Sequence, residues 1–170
     1  MDAKEKAEKI LKDLKYDFAN FTLDGFFAGV GQVTQREIIS IPWQMPATLF
    51  GAWISDGERP REYIFYRSTV PEIHQIHIQL HELSHFLLGH STLIVTQKMI
   101  AEIVAGTVTL SLEDLPNLRS PKTANLETEA EVLANLIQKQ VFQYASLSQL
   151  TSNLSAGQKF ADFVKTMRLD

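Results

Sequence analysis

Residues 71–90 read Pro-Glu-Ile-His-Gln-Ile-His-Ile-Gln-Leu-His-Glu-Leu-Ser-His-Phe-Leu-Leu-Gly-His. The stretch predicts a helix from Pro71 to Leu88. Ile73, Ile76, Leu80, Leu83, Leu87 and Leu88 give it one apolar side. Proline is tolerated in a first turn because its missing N–H has no helical partner there, and Ser68 and Thr69 are candidate caps. Gly89 suits the end of the helix.

The centre of this helix carries His81-Glu82-Leu83-Ser84-His85. Residues four apart on a helix differ by about 40° in direction, so His81 and His85 project from one face and can converge on a metal ion. Glu82 lies about 100° round from His81. It is poorly placed as a ligand but suited to a general base, taking a proton from a water that a metal has acidified. A zinc site of this kind needs a third protein ligand and leaves one position for water. Three groups of residues can supply it. His74 and His77 lie on the same helix, but three histidines along one straight helix sit about 6 Å apart and cannot close round an ion. His77 therefore reads as a residue beside the site or on the surface. His90 follows just beyond the helix end. The third group is Glu127-Thr128-Glu129-Ala130-Glu131. Glu127 and Glu131 share a helix face, so one can bind metal while the other orients a ligand histidine through its free ring nitrogen. Glu129 points about 160° away from Glu131 and reads as solvated.

Working outward, Asp2 to Leu14 predicts an amphipathic helix and its lysine-dense face reads as solvated. Thr22 predicts a cap for a short helix to about Val33, whose glycines weaken it. Arg36 to Ile41, Thr48 to Ser55 and Glu62 to Arg67 read as strands, with Pro42 and Asp56-Gly57 as stops. The short spacing predicts a small, mostly antiparallel sheet. Thr96 to Ile103 reads as helical, Thr107 to Leu112 as extended, and Pro116 and Pro121 as loop. Thr123 to about Tyr144 predicts a long helix, and Ser155 a cap for a last one. The expectation is one α+β domain over residues 1–170, with a core of about 22–145 and helical extensions at both ends.

The chain of 170 residues has no cysteine, which excludes disulfides, thiolate zinc sites and cysteine nucleophiles. Its net charge of −4, without a basic block, argues against direct nucleic-acid binding. The charged N-terminus lacks the apolar core of a signal peptide, and no run reaches the roughly 18 apolar residues of a membrane span. A cytoplasmic location is expected.

The pair of motifs resembles the ImmA/IrrE metallopeptidases over roughly residues 22–137. A strand like Glu62-Tyr-Ile-Phe-Tyr-Arg67 precedes the histidine-bearing helix, and an acidic helix like Glu127-Thr-Glu-Ala-Glu-Val-Leu-Ala134 follows. The resemblance implies a zincin-like core, Zn2+ held by His81, His85 and Glu127, and Glu82 as catalytic base. Members usually carry Asn or a similar polar residue where Glu131 stands, and many have Gly in place of Ser84. It also implies a protein substrate, often a helix-turn-helix repressor. Hydrolysis of a peptide bond is the leading expectation. The alternative is a non-catalytic module that binds a repressor or senses metal. Such a module needs the ligands but not Glu82. Tyr66, His90, Arg119 and Tyr144 are candidate donors to an oxyanion.

Overall fold

The computed structural model describes residues 1–107 and 124–151. The expected loop at Pro116 and Pro121 and the helix expected after Ser155 lie outside these residues. So does the expected extended segment beyond Thr107.

Local signals set the helices. Asp2 caps α1 (Ala3–Leu14) in a reciprocal box: its carboxylate accepts from the Glu5 amide at 2.8 Å, and the Glu5 side chain accepts from the Asp2 amide at 2.8 Å. A 3-10 turn (Phe18–Asn20) leads to α2 (Leu23–Thr34), which the Thr22 hydroxyl caps at Gly25. A Cβ at Gly29 would fall 2.9 Å from the Tyr16 ring. That close approach explains a residue which otherwise weakens a helix.

The histidine-bearing helix, α3, spans Glu72–Leu87. Pro71 takes its cap position with no side-chain cap, so neither Ser68 nor Thr69 performs that role. Instead the Gln75 amide donates to the carbonyls of Ser68 and Val70 at 3.0 and 2.8 Å, closing the turn from inside the helix. Gly89 follows at φ +69°, the left-handed geometry that ends helices. Thr96 caps α4 (Gln97–Val104), and α5 covers Ala124–Thr151. Among the described residues there are five α-helices.

The strands are β1 (Glu37–Trp43), β2 (Gly51–Asp56), β3 (Arg61–Arg67) and β4 (Leu93–Val95), in the order β1-β3-β2-β4. The sheet is mixed rather than mostly antiparallel. The β2–β3 hairpin is antiparallel, while β1 runs parallel to β3 and β4 parallel to β2. The reason is topological: β2 is the return path between β1 and β3, and α3 lies between β3 and β4. Parallel neighbours need such a connection. Pro42 does not stop β1, because an edge strand tolerates a residue without an N–H.

Alternate strand residues feed two cores. Ile64 joins Phe26, Val30, Leu80, Leu83, Leu133, Ala134 and Ile137 on the face covered by α2, α3 and α5. Helix α1 packs along α5 and buries Ala7 and Leu14 in this same cluster. Ile54, Tyr63, Phe65 and Val95 meet Ile100 and Ile103 of α4 on the other face. The histidine-bearing helix α3 is therefore held between the sheet and α5.

Asp56 closes the β2–β3 turn. One carboxylate oxygen accepts from the Glu58 and Arg59 amides at 2.8 and 3.0 Å, and the other from the Tyr63 hydroxyl at 3.1 Å. Burial opposes the charge, but these hydrogen bonds outweigh it and hold the carboxyl below its usual pKa. A depressed folded pKa contributes stability that is complete above the unfolded value of about 3.9 and fades as pH falls through the folded one. Asp56→Asn should therefore lower the urea midpoint at neutral pH, with the gap to wild type narrowing below about pH 4.

Candidate metal centre

Helices α3 and α5 pack against each other and bring the two motifs together. Nε2 of His81 lies 3.1 Å from Nε2 of His85. The Glu127 carboxylate reaches across from α5, 3.3 Å from His81 Nε2 and 3.6 Å from His85 Nε2. Ligand atoms about 2.0–2.1 Å from a tetrahedral zinc would stand about 3.3–3.4 Å apart. Two imidazoles and one carboxylate at these separations fit such an ion, with one tetrahedral position left for water.

His85 is fully buried, His81 has 19% of its side chain exposed, and Glu127 sits at the open side with 45%. Glu131 is one turn beyond Glu127 and accepts from His81 Nδ1 at 3.2 Å. A carboxylate only accepts, so Glu131 takes the Nδ1–H of His81, and Nε2, beside Glu127 and His85, is the nitrogen the ring would offer to a metal. His77 does not join the trio. Its Nε2 lies 3.3 Å from the same Glu131 oxygen, and its Nδ1 is 3.1 Å from the Gln138 amide. His90 meets His85 instead, with the two Nδ1 atoms 2.8 Å apart. Ser84 is buried and donates to the Leu80 carbonyl at 2.7 Å. Of the candidate oxyanion donors, Tyr144 stacks on Phe18, His90 is engaged with His85, and Arg119 is outside the described residues.

The carboxylates set the electrostatics. Burial disfavours charge on His81, but the hydrogen bond to Glu131 and the charges of Glu82, Glu127 and Glu131 prevail and raise its pKa. Hydrogen bonds from His77 and His81 hold Glu131 far below the ordinary carboxylate range, against burial. In the absence of metal, proton and cation thus compete for one negatively charged pocket.

Two residues carry more than the sequence indicated. Glu129 is not solvated: its side chain is only 17% exposed, and it pairs with Lys6 at 2.5 Å and His90 at 3.4 Å. Helix α5 is covered by α1 as well as α3, so the side opposite Glu131 also faces protein. Gly51 opens β2 directly over Glu82. A Cβ there would fall 2.6 Å from Ile78 Cγ2 and 2.9 Å from Glu82 Cγ. Glycine inside a strand is the signal of such close approach, and Thr48 to Ser55 contained it. Glu82 itself is 6% exposed, held between this strand and its own helix.

Searches against family models, curated proteins and solved structures find no match for this chain.

Gly51→Ala should overpack the gap between β2 and α3 and destabilise the fold by about 1–3 kcal/mol in urea unfolding. A variant as stable as wild type would mean that strand and helix are further apart.

Proposed function

We propose that this chain is a zinc-dependent metallopeptidase similar to the ImmA/IrrE enzymes, with a zincin-like arrangement of sheet and helix. The observation that carries the reading is the convergence of His81 Nε2, His85 Nε2 and the Glu127 carboxylate, with Glu82 on the same helix. A metal scaffold alone has use for the three ligands and none for a buried carboxylate at position 82. Glu82 is therefore the feature that favours catalysis over a purely regulatory module.

His81, His85 and Glu127 would hold the ion, whose chemistry when bound is Lewis acidity toward a carbonyl and toward water. Glu82 acts as general base, removing a proton from the attacking water, and afterwards returns it to the leaving amine. Glu131 keeps the His81 ring oriented. The Glu127 side of the site is the exposed one, so substrate approaches from there. The reaction needs no covalent intermediate, in keeping with a chain that has no cysteine. The proposed substrate is a protein, by resemblance a helix-turn-helix repressor, met in the cytoplasm. No described helix is long and apolar enough to cross a membrane.

Glu82→Gln separates catalysis from binding. The variant should keep wild-type zinc content by elemental analysis and lose about 100- to 10,000-fold in cleavage of a proteome-derived peptide library read by mass spectrometry. Equal cleavage by wild type and variant would remove Glu82 from the mechanism.

A further inference from the structure

We propose that His90 and Glu129 are positioning residues that act on the metal centre through His85. The proposal rests on His85 being a ligand and adds what fixes its ring. The two ligand histidines face different surroundings. His81 hands its Nδ1 proton to Glu131 at the open side of the site. His85 is fully buried, and its Nδ1 meets a second imidazole, that of His90, at 2.8 Å.

Two imidazole nitrogens at hydrogen-bond distance leave the direction of the bond undecided until the far end is known. Here the far end is a carboxylate. Glu129 pairs with the Lys6 ammonium at 2.5 Å, a charge-assisted contact that favours the ionised carboxylate. An ionised carboxylate can only accept, so His90 Nε2, 3.4 Å away, carries the hydrogen. Neutral His90 is then bare at Nδ1 and accepts from His85 Nδ1–H. His85 in turn is bare at Nε2, the nitrogen 3.6 Å from Glu127 and 3.1 Å from His81 Nε2. The carboxylate at one end and the ligand nitrogen of His85 at the other set the direction of the bonds between them.

The His90 side chain is 5% exposed, so water is a poor substitute for this partner. The relay also joins three helices: Lys6 is on α1, Glu129 on α5 and His85 on α3, with His90 in the turn after Gly89. Partners of this kind commonly account for 10- to 100-fold in metal affinity, because they hold a ligand in the required tautomer and orientation.

Zinc affinity of the full chain, measured by chelator competition, tests the proposal without an activity assay. His90→Ala should weaken zinc binding by about 10- to 100-fold. His90→Asn, whose side-chain oxygen can accept where Nδ1 does, should stay near wild type. Equal affinity in His90→Ala and wild type, or equal loss in the Ala and Asn variants, would overturn it. His85→Ala is the control. Loss there without loss in His90→Ala sinks this inference alone, whereas no loss in either sinks the metal site as well. Nitrogen-15 NMR of wild-type zinc-loaded protein gives a check that needs no variant. His90 should be neutral with its proton on Nε2, and a proton on its Nδ1 would contradict the relay.

Discussion

The site depends on the crossing of two helices. His81 and His85 are fixed relative to each other by α3 alone, but nothing in α3 can complete a coordination sphere. The Glu127 carboxylate must arrive from α5, and it does so only if α5 packs at one rotation and one height against α3. Leu80 and Leu83 on one helix and Leu133, Ala134 and Ile137 on the other set that rotation, all of them buried in one cluster. The apolar seam and the acidic face are neighbouring stripes of the same helix, so packing and ligand geometry are one constraint.

That constraint gathers charge that burial makes costly. Glu82, Glu127, Glu129 and Glu131 lie around the histidines, and each buried charge requires partners to persist. Glu131 is shared by His77 and His81, and Glu129 by Lys6 and His90. Another buried carboxylate, Glu62, lies on the sheet away from the centre. It accepts from Trp53 Nε1 at 2.5 Å and Ser55 Oγ at 3.1 Å and pairs with Arg36. The two clusters differ in net charge. Arg36 neutralises Glu62 within the protein, whereas the carboxylates at the histidine pair retain excess negative charge suited to a cation.

Much of this was legible locally. The capping residues Asp2 and Thr22, the stop at Gly89 and the separate faces of Glu127 and Glu129 follow from one turn of chain, and they recur in the structure. What the sequence withheld is non-local. Strand direction depends on which segment serves as the return path, and residues 36–67 read equally well in either sense. Strand β4 has three residues, too few for a period to register. Glu129 looked solvated because a wheel shows where a side chain points but not that α1 lies there. His90 looked like a spare ligand because its partner Glu129 is 39 residues away in sequence. Gly51 was visible as a residue but not as a contact, since Glu82 approaches from another element.

X-ray absorption at the zinc edge of the purified, zinc-loaded protein tests the central claim most directly. The account predicts one zinc per chain with two imidazole nitrogens and oxygen ligands at about 2.0–2.1 Å, and loss of an oxygen ligand or of the metal in Glu127→Ala. A sphere with three or more imidazoles, or a spectrum unchanged by Glu127→Ala, would contradict it.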